Sequence, residues 1–168
     1  IYPSFIDSYT SFGITKPKQS GRGRSAQYGP IREGFYWNDH IRSDQTVMDF
    51  YKFDDKAAKE FRKAGFGVVN THQPDGIMRG TGALIALTPN RGDEERILND
   101  SSSEFLSTNK SLLSSQAYPS SIMGTLALLK QFYLDADWYN KGDISNTDLA
   151  IESHLKNKNK IQIMNSGN

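Results

Sequence analysis

Asp54-Asp55-Lys56-Ala57-Ala58-Lys59-Glu60-Phe61-Arg62-Lys63-Ala64-Gly65 runs straight into Phe66-Gly67-Val68-Val69-Asn70-Thr71, and this handover decides the fold class. The opening aspartate can cap a helix. Ala57, Ala58, Phe61 and Ala64 then fall on one apolar stripe, and Gly65 supplies the stop. The β-branched run that follows reads as a strand. A helix that passes to a strand through a single glycine is half of a βαβ unit. The expectation is therefore an α/β fold with at least partly parallel pairing.

Working outward toward the N-terminus, residues 3–10 read as a short buried strand that ends near Gly13. Residues 14–34 carry Lys16, Lys18, Arg22, Arg24 and Arg32 against Glu33 alone, interrupted by Pro17, Gly21, Gly23, Gly29, Pro30 and Gly34. No apolar period survives there, which predicts a long, basic, mobile loop. Joined to the aromatic run Phe35-Tyr36-Trp37, it makes a basic and aromatic loop insertion over 14–45. Toward the C-terminus, Ile77 to Thr88 reads as a second extended segment bent at Gly80-Thr81-Gly82, followed by a turn at 89–93 and a strand pair within 95–107. Pro119-Ser120-Ser121 caps the longest helix, Ile122 to about Tyr139, with Ile122, Leu126, Leu129, Tyr133 and Ala136 as its apolar stripe. Asn146-Thr147-Asp148 caps a last helix, Leu149 to Lys156, and Lys160 to Asn165 alternates like a strand.

The chain has 168 residues, 20 basic and 19 acidic side chains, 36% hydrophobic residues and no cysteine. That length suits one domain or a large piece of one. Without cysteine there is no disulfide scaffold, thiolate zinc site, iron–sulfur cluster or cysteine nucleophile. A net charge of +1 gives no global attraction to nucleic acid or membrane, and no apolar run is long enough to span a bilayer, so neither is expected as a partner. A strand at the very end of the sequence, with nothing to cover it, reads as an excised segment. The alternative is a small domain whose terminal strands pair within its own sheet.

Pro3-Ser4-Phe5-Ile6-Asp7-Ser8-Tyr9-Thr10-Ser11-Phe12-Gly13 resembles the opening barrel strand of the amidohydrolase superfamily, which reads Pro-Gly-Phe-Ile-Asp-x-His-x-His-x-Gly. Phe61 to Val69 resembles that superfamily's handover into the next barrel strand, and Leu149 to Met164 its entry to a later one. The flavour is that of the imidazolonepropionase-like branch, found in large bacterial proteins. The resemblance implies the N-terminal part of a catalytic barrel: a partial (β/α)8 TIM-barrel-like segment with parallel strands. A whole barrel takes roughly 250 residues, so this chain would supply about four of eight strands. It further implies a metal-dependent hydrolase of C–N bonds in non-peptide amides. A small-molecule amide would be its substrate, and the remainder of the barrel or a second barrel domain its partner. In such enzymes two imidazoles closing the first strand hold a metal that turns water into hydroxide. Here those positions are Tyr9 and Ser11, which are poor ligands for zinc. Zinc or a similar divalent metal is thus implied for the parent protein and no cofactor for this chain. The candidate pocket is Asp7, Tyr9, Ser11 and His72, and this half is expected to be non-catalytic.

A rival from another class is a small α/β binding domain that recognises an anionic ligand through loop 14–40, with Arg22, Arg24, Trp37 and His40 as the contacts. Against it stands the bland reading of a solvated loop whose aromatic residues pack it down. His72 follows a strand end and reads either as a group at a barrel mouth or as a loop histidine bonded to a nearby aspartate. His154, beside Glu152 on a polar helix, reads as solvent-exposed. Gly80-Thr81-Gly82 lacks the Lys-Ser/Thr of a phosphate-binding loop, and no serine sits in Gly-x-Ser-x-Gly, so neither chemistry is indicated.

Overall fold

Asp54 caps helix α1 (Asp55–Lys63), its carboxylate accepting from the amides of Lys56 and Ala57, and Gly65 takes the left-handed backbone that ends it, at φ 94°. The structure, a computed structural model, describes residues 3–18, 26–28, 32–142 and 147–165. Arg22 and Arg24 lie outside the described residues.

Strand β2 (Phe66–Thr71) follows α1 and pairs in parallel with β1 (Phe5–Thr10), with Phe5 opposite Phe66 and Thr10 opposite Thr71. The chain continues through β3 (Met78–Thr81), β4 (Ala83–Ala86), the single turn α2 (Asp93–Arg96), β5 (Ile97–Asn99) and β6 (Ser103–Ser107). It then runs through α3 (Ile122–Lys141) and α4 (Leu149–Asn157) to β7 (Ile161–Asn165). These strands form two sheets, one ordered β1-β2-β4-β5 and one ordered β3-β6-β7.

The fold is mixed α/β. β1/β2 and β6/β7 are parallel, as the partly parallel pairing expected from the handover requires, while β2/β4, β4/β5 and β3/β6 are antiparallel, which corrects the barrel-like segment with parallel strands. Connection length gives the reason. Each parallel pair is joined by a long crossover carrying a helix, whereas ten residues, 87–96, link β4 to β5. Neither sheet closes into a barrel among the described residues. The strand pair expected within 95–107 is also corrected. Strands are present, but β5 joins β4 and β6 joins β3 and β7.

A single residue, Gly82, separates β3 in one sheet from β4 in the other. Its amide donates to the Ser103 carbonyl at 2.9 Å, and its carbonyl accepts from the Ser102 amide at 2.9 Å. A side chain here would strike the Phe105 ring and the Thr71 carbonyl.

Each sheet has its own core. Phe12, Val47, Ala58, Val69, Ala83, Ile85 and Leu87 fill one. Tyr36, Ile41, Ile77, Met78, Leu106, Leu128, Phe132 and Ile151 fill the other. Ser121 caps α3 as expected, but the buried face of that helix is Thr125, Leu128, Leu129, Phe132 and Ala136. The expected stripe is corrected at two positions, since Ile122 and Leu126 are exposed, together with Met123, Leu134 and Trp138. A helix that is apolar nearly all round has no period by which to choose a face. Among the described residues no helix is long and apolar enough to cross a membrane.

Candidate functional site

Asp7 and Tyr9 lie two residues apart on β1, where the pairing register with β2 shifts between Asp7 and Thr10. Asp7 Oδ1 accepts from the Tyr9 amide at 3.1 Å, which anchors the approach to the strand's C-terminal end. The strand stops at Thr10. Ser11 therefore opens a turn instead of continuing the strand, its carbonyl accepting from the Ile14 amide at 3.1 Å. His72 follows β2 directly, and its amide donates to the Thr10 carbonyl at 3.0 Å. Tyr9 and His72 thus meet at the C-terminal rim of the parallel pair, with ring centroids 4.3 Å apart.

The second sheet completes the cluster. Phe105 of β6 stacks on His72 at 4.2 Å with the rings 6° from parallel. Arg79 of β3 reaches across with Nη1, donating to the Tyr9 hydroxyl at 2.8 Å and to His72 Nε2 at 3.1 Å. Arg79 Nε donates to the Gly76 carbonyl at 3.1 Å. A guanidinium can only donate, so His72 Nε2 accepts and the ring proton sits on Nδ1. That Nδ1 is buried and has no hydrogen-bond partner among the described residues. Burial, reinforced by the Arg79 charge, pushes the imidazole down to about 3, so His72 is neutral at physiological pH. Of the four candidate pocket residues, the fold brings Tyr9 and His72 into contact, ties Asp7 to the Tyr9 backbone amide and turns the chain away at Ser11.

Arg79 and Phe105 carry half of this cluster and were not singled out from the sequence. The signal for Arg79 was a charged residue flanked by Ile77-Met78 and Gly80 inside an apolar strand. Glu104, in Ser103-Glu104-Phe105-Leu106, gave the same signal. Its carboxylate is buried and holds His154 Nδ1 at 3.1 Å and Gln162 Nε2 at 3.0 Å, which ties α4 and β7 to β6. His154 is therefore buried rather than solvent-exposed, because its partner lies 50 residues away rather than on its own helix.

Within loop 14–45 the stretch from Tyr36 to Ser43 packs inward, while Thr15, Lys16, Lys18, Tyr28, Arg32, Glu33 and Phe35 are exposed. His40 is fully buried, with Nε2 donating to the Gln116 carbonyl at 3.2 Å and Nδ1 accepting from the Ser111 amide at 3.1 Å. Both ring nitrogens are thereby spent on backbone, and burial lowers its pKa. Asp75 accepts from the Ser111 hydroxyl at 2.5 Å and the Leu112 amide at 2.6 Å, and pairs with Arg42 at 3.5 Å. Trp37 is half-buried and stacks on Tyr118 at 6.1 Å. Arg32 pairs with Asp39 at 2.5 Å.

The residues at the rim do not suit a divalent cation. The Tyr9 oxygen and the His72 Nε2 lone pair both face a guanidinium, so the place where a metal's charge would act already holds a positive group. Among the described residues no three His, Asp or Glu side chains converge in a metal-ligating group.

No protein-family model matches the chain, and no curated protein matches it. Among solved structures it is similar to an amidohydrolase from Thermotoga maritima, with a TM-score of 0.60 and 19% identity. The match covers 92% of this chain and 42% of that protein. The likeness is one of fold, and this chain spans less than half of its neighbour's length.

Proposed function

We propose that this chain is the opening part of an amidohydrolase-like barrel of the imidazolonepropionase-like kind, within a larger protein that hydrolyses C–N bonds of non-peptide amides. In it the first-strand metal pair is replaced by Tyr9 and Ser11, so this portion contributes to the barrel without performing the chemistry. The observation that carries the proposal is the parallel pairing of β1 with β2, which sets Tyr9 and His72 together at the C-terminal rim. Barrel enzymes of this architecture build their sites at that end of the strands.

Two further features support it. The outer edges of β1 and β7 have no partner strand among the described residues, and both suit further strand–helix units of the same barrel or of a second one. The groove between α3 and β7, lined by Leu126, Leu129, Tyr133, Leu134 and Met164, is apolar in the way a helix-covered sheet requires. Any zinc or similar metal of the whole protein then takes its ligands from elsewhere. The alternative of an anion-binding loop has weaker support, because Trp37 and His40 are committed to internal contacts.

The test uses the full-length protein. Elemental analysis of bound metal is compared between the parent and the Tyr9→Ala, Ser11→Ala double variant, alongside amine release from a panel of cyclic and linear amides. Unchanged metal content with amide hydrolysis in both supports the proposal. Loss of a metal equivalent in the variant overturns the vacated-ligand part, and no hydrolysis of any amide overturns the hydrolase part.

A further inference from the structure

We propose that Arg79 and the Tyr9 hydroxyl form a receptor for a small oxyanion, a carboxylate or a phosphate, at the C-terminal rim of β1 and β2. Four Asp, Glu or Arg side chains are buried among the described residues: Asp75, Arg79, Arg96 and Glu104. Two of them have a counter-charge: Asp75 pairs with Arg42 at 3.5 Å and Arg96 with Asp93 at 3.0 Å, while Glu104 is held by His154 Nδ1 at 3.1 Å and by Gln162 Nε2 at 3.0 Å. Arg79 has none among the described residues; its partners are a carbonyl, a phenol and an imidazole. Burying a guanidinium without an opposite charge is costly, and the arrangement is completed by an anion.

The donors that remain define the ligand. Nε of Arg79 is taken by the Gly76 carbonyl, and both hydrogens of Nη1 by Tyr9 and His72, which leaves the two hydrogens of Nη2. The Tyr9 oxygen accepts from Arg79, so its own O–H is free to donate outward. Tyr9 is half-buried whereas His72, Arg79 and Phe105 are buried, so Tyr9 is the side by which a ligand would reach the cluster. His72 presents no acceptor to repel an anion, since its lone pair faces Arg79 and its unpartnered nitrogen bears the proton. One oxygen of a carboxylate or phosphate on Nη2 and a second on the Tyr9 O–H takes up two of the three free donor hydrogens of the pair. Ligands of open α/β sheets settle outside the carboxyl ends of parallel strands, where this pair lies. The inference makes no use of amide hydrolysis and stands apart from the function proposed above.

The experiment is isothermal titration of the full-length protein with succinate and, separately, with inorganic phosphate, at constant ionic strength held with chloride. Saturable one-site binding of either probe is expected. Tyr9→Phe keeps the ring and removes only the O–H, and should weaken that binding about tenfold or more. Arg79→Gln should abolish it, with circular dichroism confirming the fold. The preferred probe tells a carboxylate site from a phosphate site. No saturable binding of either probe, or equal binding by the parent and Tyr9→Phe, overturns the proposal, the first result meaning that Arg79 is neutralised from within the protein.

Discussion

Replacing His72 by glutamine should remove an acid sensitivity that the fold imposes on itself. The imidazole titrates near 6.5 in the unfolded chain and is pushed down to about 3 in the fold, by burial first and by Arg79 second. Between those values the unfolded state takes up a proton that the native state refuses. The stability that depends on neutral His72 is therefore complete above about pH 6.5 and is lost progressively as the pH falls toward 3. Each pH unit inside that window is worth about 1.4 kcal/mol, so the loss reaches roughly 2 kcal/mol at about pH 5. Glutamine does not titrate, and its carbonyl can still accept from Arg79. Urea denaturation of parent and His72→Gln at about pH 7.5 and pH 5 gives the comparison. His40, also lowered, and Asp44 and Asp148, both raised by burial, are present in both proteins and cancel in the difference. The parent should lose about 2 kcal/mol more than the variant, a difference of roughly 4–8 °C in Tm for a chain of this size. A variant as acid-sensitive as its parent would show that His72 is not held neutral and would refute the account of the rim.

Three other outcomes are expected. Glu104→Ala leaves His154 buried and removes the tie between β6, α4 and β7, and should cost about 3–5 kcal/mol in urea denaturation; a loss under about 1 kcal/mol would contradict the buried pair. Tyr9→His with Ser11→His should not generate zinc-dependent amide hydrolysis in the 168-residue chain, since Arg79 would face the introduced imidazole; measurable zinc-dependent turnover would count against this. The same chain, whose β1 and β7 edges have no partner strand among the described residues and which exposes Met123, Trp138 and Ile161, should self-associate at high concentration, and a clean monomer by light scattering would speak against open edges as docking surfaces.

What the sequence made legible was chemistry acting over three or four residues. The caps at Asp54, Ser121 and Asp148 each satisfy amides within the next turn, and each was readable from its own neighbourhood. The α1-to-β2 handover was legible for the same reason. Strand partnership was not. Whether Ala83–Ala86 continues the sheet of Met78–Thr81 depends on what a glycine between them permits, and no local period records that. The α3 face was misjudged because apolar residues occur all round the helix, and only the sheet beneath it selects Leu128 and Phe132. At the rim, Tyr9 and His72 were grouped through a resemblance in strand order, and they lie in contact. Arg79 and Glu104 escaped notice because their partners are contributed by other strands and helices. A charge set among apolar strand residues was the available clue in both cases.

Position 82 links architecture to chemistry. The Phe105 ring that supports His72 lies flush against a backbone carrying nothing but hydrogen there. Even the methyl of an alanine would lever that ring off the imidazole, and Arg79 would then lose the flat surface that keeps its acceptor in line. The corner where the chain changes sheets therefore sets the alignment of a cation lying beyond its own reach, and a substitution there should slacken the rim and press on the β2 backbone at Thr71 together.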